Sequence, residues 1–401
     1  MPATPRHAGF QADTGRYAAT RLASRYHLST APEAPCNPDG LHADRTSDAH
    51  VIAVTTLRDG GQPASDTADA LVAFFDGAER SLLAAVYDIR VDDATEAQVR
   101  AALQRAVGRG VEVRLVYELE TPGRDPLPAP PRTDTETISA ELFATHGVST
   151  RTGLMHHKYV VRDGASVWTG STNWTEDSWT REENVVVTVA SEALAHAYHL
   201  NFEELWQAET VEPTGRVQPR PVAVDGAEVR PWFCPGHGDV LAHRIAKHIG
   251  KARRRVRIAS PVLTSGPILG TLVEVVNEQR CDVAGIVDDT QVDEVFHQWR
   301  TNGVSEWKIP LLRTVLTKAP FAGKQSTPWS AGSVHDFMHA KVAVCDDTTF
   351  VGSFNLSRSG ERNAENVLEI RDAAIADRLA AYVDEIRTLY PAATPPGGPG
   401  A

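Results

Sequence analysis

One set of reactive side chains occurs twice in this chain, in the same order. The first copy reads His156-x-Lys158, then Asp163, Gly170-Ser171-x-Asn173 and Glu183-Asn184. The second reads His339-x-Lys341, then Asp346, Gly352-Ser353-x-Asn355 and Glu365-Asn366. His, Lys, Asp, Gly, Ser and Asn at fixed offsets arise by chance at about 10⁻⁸ per starting position, taking ~5% usage for each residue type. Lys to Asp is five residues in both copies, and Asn to Glu is ten. Only the Asp-to-Gly step differs, seven residues against six, which places a one-residue deletion in the turn after Asp346.

These residue types suit a phosphate ester. Attack on a phosphodiester needs a nucleophile that is neutral near pH 7, charge cancellation on the non-bridging oxygens, and a proton for the departing oxygen. Histidine has an ordinary pKa of about 6.5 and can serve in either role. One imidazole cannot act on both sides of the phosphorus at once, but two can. His156 and His339 are therefore the candidate nucleophile and acid/base. Lys158 and Lys341 offer positive charge to the phosphate oxygens, and Asn173, Asn355, Ser171 and Ser353 add neutral donors. Together they favour the transition state, where charge on oxygen grows. Glu183 and Glu365 are the expected partners of the far ring nitrogens, fixing tautomer and orientation. The lysines should lower one histidine pKa and a glutamate should raise the other. This inventory calls for no metal and no cofactor, unlike sites where carboxylates and histidines cluster as ligands of two metals.

The elements that must hold these residues alternate. Strand patterns at 51–54, 81–90 and 111–117 are separated by helical patterns at 68–79 and 95–108. The first motif then runs through strands at 158–163, 167–169 and 185–189 into a helix at 191–207. The second half repeats the plan and ends in a helix at 372–389. The expected fold class is α/β, with two similar halves. Each half is a mixed, largely parallel sheet flanked by helices, and a pseudo-twofold axis relates them. The expected organisation is a polar, weakly ordered arm at 1–48, a first half at 49–208, a linker at 209–225, a second half at 226–390 and a disordered tail at 391–401. A proline-rich insertion at 121–135 and a long loop at 317–338 each precede a motif, and both are expected to rim one cleft.

The two His-x-Lys-x4-Asp signatures with downstream Gly-Ser-x-Asn resemble those of the phospholipase D superfamily. The resemblance is specific at the motifs and looser over about 50–390. It implies a covalent phosphohistidine on one histidine, with His156 as nucleophile by analogy, and His339 as the group that protonates the leaving oxygen and activates the acceptor. It also implies structural roles for Asp163 and Asp346.

Bulk properties narrow the reading. The chain has 401 residues, enough for two fused halves with a large shared core. Its net charge of −12 argues against non-specific nucleic-acid binding and against strong attraction to an anionic membrane. No apolar run approaches the ~20 residues of a membrane span, and the start of the chain does not read as a signal peptide. Four scattered cysteines read as reduced thiols, so a cytoplasmic location is expected. The expected enzyme is a monomer with both motifs in one site, acting on a phospholipid or other phosphodiester by hydrolysis or transfer, with Trp329 and Phe321 as candidates for substrate contact or transient membrane-surface contact. The alternative is a nuclease of the same superfamily. A degenerate scaffold is disfavoured because both histidines, lysines and asparagines are present.

Several residues carry milder readings. His157 alternates to the strand face opposite His156 and is read as structural. His335 is read as a solvated loop histidine. Trp174 and Trp179 could line substrate or anchor the core. The basic run Lys251 to Arg257 is read as a solvated face.

Overall fold

The computed structural model describes residues 52–90, 93–119, 142–328 and 333–395. Its first half contains β1 (Ile52–Leu57), α1 (Ala64–Asp76), β2 (Ser81–Val86), β3 (Ile89–Arg90), α2 (Asp93–Gly108), β4 (Glu112–Glu118) and β5 (Ala144–Val148). It continues through β6 (Lys158–Arg162), β7 (Ser166–Gly170), β8 (Trp174–Thr175), α3 (Glu176–Thr180), β9 (Asn184–Ala190) and α4 (Glu192–Trp206). The second half contains β10 (Val222–Val224), β11 (Ala227–Phe233), α5 (Gly238–Lys251), β12 (Arg255–Ala259), α6 (Gly266–Glu278), β13 (Asp282–Asp288) and α7 (Asp289–Asn302). It closes with α8 (Ile309–Lys318), β14 (Phe321–Lys324), β15 (Val342–Cys345), β16 (Thr348–Gly352), β17 (Asn366–Arg371) and α9 (Ala373–Arg387).

Local chemistry explains the boundaries. Helices α4, α7 and α9 start where Ser191, Asp288 and Asp372 accept the backbone N–H three residues on, which satisfies an otherwise orphaned donor. Leu241, Ile245 and Ile249 line up on one face of α5 and are fully buried. The strands are rich in valine, and β6, β7 and β9 are buried along most of their length.

The first sheet has the order β1-β9-β7-β6-β2-β4-β5, and the second β10-β11-β17-β16-β15-β12-β13-β14. The matching run is β9-β7-β6-β2-β4 in one and β17-β16-β15-β12-β13 in the other. The α/β class with two mixed, helix-flanked sheets therefore holds. The sheets are less parallel than expected: among their described residues only β2–β4–β5 and β12–β13–β14 pair in parallel, and β3 and β8 form a separate parallel pair. The cause is the tight hairpin inside each motif, because a short turn can join only antiparallel neighbours. Arg162 pairs with Ser166 across a three-residue turn, and Cys345 with Thr348 across a two-residue turn. The shorter turn is where the sequence placed its deletion.

The inner faces of both sheets share one core with α4 and α9. It runs from Val161 and Val187 through Tyr198 and Phe202 to Val344, Leu379 and Val383. Separate clusters under α1 and α2, and under α5, α6 and α8, cover the outer faces. The stretch expected as linker is built in: Val211 and Thr214 are buried, and Val222–Val224 adds a strand to the second sheet. Residues 391–395, expected in the disordered tail, pack beside β14, where Ala393 N–H donates to the Phe321 carbonyl at 2.8 Å. Phe321 itself is a correction. It opens β14 and is buried in the core, so it cannot contact a membrane. The arm at 1–48, the insertion at 121–135, Trp329 and residues 396–401 lie outside the described residues.

Candidate active site

Both motif histidines sit just before the central antiparallel strand of their sheet, at the end where β2 and β12 finish. Each is held by the opposite half. His156 N–H donates to the Ala364 carbonyl at 2.9 Å, and His339 N–H donates to the Glu183 carbonyl at 3.2 Å. The two rings meet edge to face, with centroids 6.5 Å apart.

The partners of the rings correct the sequence reading. His156 Nδ1 lies 2.9 Å from both carboxylate oxygens of Glu365, as expected. His339 Nδ1 does not meet Glu183. It lies 3.2 Å from Asn184 Oδ1 and 3.3 Å from Glu182 Oε2. The reason is a shift of register. Gly170 pairs with Val186, whereas Gly352 pairs with Val367, so the first half has one extra residue between motif turn and strand. The true counterpart of Glu365 is Asn184, and that of Asn363 is Glu182. The equal ten-residue spacing in the sequence is a coincidence of two adjacent glutamates. Glu183 points away, to Lys324 Nζ at 2.9 Å and to the Tyr390 hydroxyl.

A glutamate and an asparagine therefore stand beside each histidine in exchanged order. Asn184 donates to Glu182 at 2.9 Å in the first half, and Asn363 donates to Glu365 at 2.9 Å in the second. The serines secure this arrangement. Ser171 Oγ donates to Asn184 Oδ1 at 2.7 Å, and Ser353 Oγ donates to Glu365 Oε2 at 2.5 Å. Each hydroxyl has one proton, and both residues are fully buried. The expectation that Ser171 and Ser353 donate to phosphate is thus corrected: their donors are already committed.

The lysines are buried between the rings and the sheets. Lys158 Nζ donates to the His156 carbonyl at 2.8 Å, and Lys341 Nζ makes the same bond to His339. Burial, above all, lowers Lys158 to about 7 and holds Lys341 well below the usual lysine range. Burial likewise pulls His156 down to about 4 against the pull of Glu365, with the two lysines reinforcing it. His339 is lowered well below 6.5, first by burial and then by Lys341 and Lys158. The expectation that one histidine would be raised does not hold, because desolvation of the cation dominates in both. Burial also raises Glu182 to about 7. Glu365 is lowered despite its burial, by His156, Lys158 and its hydrogen bonds.

Asn173 and Asn355 each keep a buried Oδ1 without a hydrogen-bond partner. The Asn173 carbonyl accepts Trp179 Nε1–H at 2.9 Å. Trp179 and Trp174 are core anchors rather than lining. Asp163 and Asp346 adopt left-handed backbone with φ of 57° and 53°. The Asp163 carboxylate accepts N–H groups of Glu79, Arg80 and Ser81, and that of Asp346 those of Arg253, Arg254 and Arg255. Both thus pin the far end of the motif strand to its neighbour. His157 turns into the core, 3.2 Å from Asn366 Oδ1.

Other residues at the site were not singled out by their spacing. The Tyr87 ring stands 5.0 Å from the His156 ring and 5.0 Å from Lys158 Nζ. Its signal was its place directly after β2. Arg90 pairs with Asp88 at 2.9 Å and reaches His335 Nδ1 at 3.0 Å, while His335 N–H donates to Asp177 at 2.9 Å. His335 is therefore a buried bridge between the halves, not a solvated loop residue. The basic run is partly neutralised: Arg254 meets Asp347, Arg255 meets Asp377, and Arg257 meets Asp282 and Asp384, while Lys251 and Arg253 are exposed.

A family model described as "Cardiolipin synthase, PLD-like domain" matches residues 71–206 and 245–387, one stretch in each half. The chain belongs to this phospholipase D-like family. A mitochondrial cardiolipin hydrolase of Xenopus tropicalis is 37% identical over 111 residues, 26% of this chain and 49% of that protein. Its counterpart in Xenopus laevis is 33% identical over 132 residues, 33% of this chain and 57% of that protein. The chain thus spans about half the length of the curated relatives it matches. Among solved structures, a phosphatidylserine synthase from Haemophilus influenzae Rd KW20 has a TM-score of 0.59 at 13% identity, covering 84% of this chain and 87% of that one. A polyphosphate kinase from Porphyromonas gingivalis gives 0.51 at 10% identity, covering 83% of this chain and 50% of that one. At such identities these two likenesses establish the fold alone. Among the described residues, no helix is long and apolar enough to cross a membrane.

Proposed function

We propose that this chain is a phosphodiesterase of the phospholipase D type, working as a monomer, that cleaves or transfers the phosphatidyl group of a phospholipid. The observation that carries the reading is the pair of imidazoles 6.5 Å apart, each with Nδ1 engaged from the opposite half. That leaves Nε2 of each ring for the reaction. Nε2 of His156 attacks phosphorus, the bond to the leaving oxygen breaks, and His339 gives that oxygen a proton. Neutral His339 then takes a proton from water or an alcohol, whose oxygen displaces His156 from phosphorus.

The unequal partners support this assignment. A ring phosphorylated on Nε2 and protonated on Nδ1 is cationic, and the Glu365 carboxylate stabilises it. His339 Nδ1 meets the neutral Asn184 amide, and burial raises the Glu182 carboxyl 3.3 Å away to about 7, so His339 releases its proton more readily. A bound phosphate anion restores positive charge to the two lysines and raises His339, offsetting the burial that lowers all three. The chemistry needs no metal, and among the described residues no three His, Cys, Asp or Glu side chains are grouped to hold one. Ion pairing of three of the five basic residues at 251–257, with a net charge of −12, favours lipid over nucleic acid. The described cysteines are unpaired thiols, which suits a reducing compartment such as the cytoplasm.

A substrate panel in EDTA tests the reading: phosphatidylcholine, phosphatidylglycerol, cardiolipin, single- and double-stranded DNA, and a chromogenic bis-ester. Lipid turnover without DNA cleavage is expected. Cleavage of DNA alone would replace the lipid reading with the nuclease one.

A further inference from the structure

Helix α7 does not return to the far end of its sheet, as a simple crossover helix would. At its start, Asp288 accepts the Met338 N–H, one residue before His339. At its end, Gly303 takes a φ of 68° and turns the chain back toward the loop that follows β12. There Lys308 Nζ donates to the Thr264 carbonyl at 2.8 Å. That loop also binds the second motif, since Thr264 N–H donates to the Leu356 carbonyl at 2.9 Å. The turn 303–308 thus lies at the same end of the second sheet as the two histidines.

This turn presents apolar side chains to solvent. Trp307 is 59% exposed and Val304 77%, and Val334, beside the His335 bridge, is 45% exposed. Isolated apolar residues are common on surfaces. What separates Val304 and Trp307 is that their turn is anchored from behind by Lys308. The buried Lys308 cation lies 5.5 Å from the Trp307 ring and 5.7 Å from that of Trp299.

We infer that the turn Gly303 to Lys308 is a membrane-contact tip that seats the active-site end of the protein on a lipid surface. The inference rests on the phospholipid reading above and adds how such a substrate is reached. An indole is suited to the boundary between headgroups and acyl chains, and a valine beside it adds apolar burial. Glu306 lies in the same turn and the chain carries a net charge of −12, so attraction to anionic headgroups is not the driving force. Binding is therefore insensitive to salt.

The test uses the full chain, its Val304→Ser/Trp307→Ala double variant, and Leu200→Ala as a control at an exposed leucine on α4. Partition onto phosphatidylcholine vesicles is measured by co-sedimentation at low and high salt. Turnover is measured on those vesicles and on dihexanoyl phosphatidylcholine below its micelle concentration. The double variant is expected to partition about ten-fold less well and to lose vesicle turnover by the same factor. Its turnover of the monomeric lipid stays unchanged, and Leu200→Ala matches wild type throughout. Equal partition of the double variant and wild type, or no partition of wild type, overturns the inference. Partition lost in the double variant with no lipid turnover by any protein sustains the tip and overturns the lipid-cleaving reading instead.

Discussion

His156 rests on a carboxylate and His339 on a carboxamide, although the two halves share a fold and a motif. The same two side chains, one glutamate and one asparagine, stand beside each ring with their places exchanged. Duplication supplies two imidazoles at one phosphate, but two identical imidazoles would have no reason to divide the labour. Here the division is set at one strand end in each half: a carboxylate lies against His156 Nδ1 at 2.9 Å, whereas an amide at 3.2 Å and the Glu182 carboxyl at 3.3 Å share His339 Nδ1.

The largest test of that contrast removes one ring at a time. His156→Ala is expected to lose about 10⁵-fold in turnover, and His339→Ala about 10³-fold on a lipid ester. An aryl phosphodiester, whose leaving group needs no proton, should separate them. His339→Ala accumulates a phosphorylated peptide containing His156, seen by mass spectrometry after alkaline quench, while His156→Ala accumulates none. Phosphate found on His339 would exchange the two roles.

A smaller effect is expected when the partners are made alike. Glu365→Gln replaces the carboxylate beside His156 with an amide and lowers kcat about 10²-fold. Asn184→Asp places a second carboxyl group beside His339 Nδ1, next to that of Glu182. An added negative charge favours the imidazolium, so the pKa of His339 rises. Because His339 acts protonated, the alkaline limb of the kcat profile moves up by about one pH unit. A limb that stays in place would mean that His339 is not the acid.

The smallest effect separates the adjacent glutamates. Glu183→Gln weakens the pair with Lys324, which is only 3% exposed, and leaves that buried cation to Asp59 and the Arg181 carbonyl. It should cost about 2 kcal/mol in urea unfolding and change kcat by less than about three-fold. Glu182→Gln should do the reverse, lowering kcat about ten-fold with little effect on stability. If Glu183→Gln were the variant that lost activity, the register shift would not matter to catalysis.

Much of this was legible in the sequence. Motif spacing located the histidines, lysines, asparagines and structural aspartates. Valine-rich runs and helical periodicities gave the strands and the two halves. The partner of His339 was not legible, because residue offsets count positions along a chain while hydrogen-bond register is decided between strands. With Glu182 and Glu183 adjacent, a one-residue insertion left the spacing unchanged and moved the functional carboxylate by one. Phe321 and His335 were misplaced for a related reason. Both fall between α8 and the second motif, where the pattern gave no sign that β14 joins the sheet or that the chain folds back onto Arg90.

Neither copy of the duplicated unit encodes a finished reactive group. Each imidazole is gripped, through both its ring and its own amide, by atoms that the other copy contributes. A half expressed alone would carry its histidine unclasped, and mixing the two separate pieces should restore the clasp only as fast as they find one another. A substitution at this seam therefore acts on both copies at once.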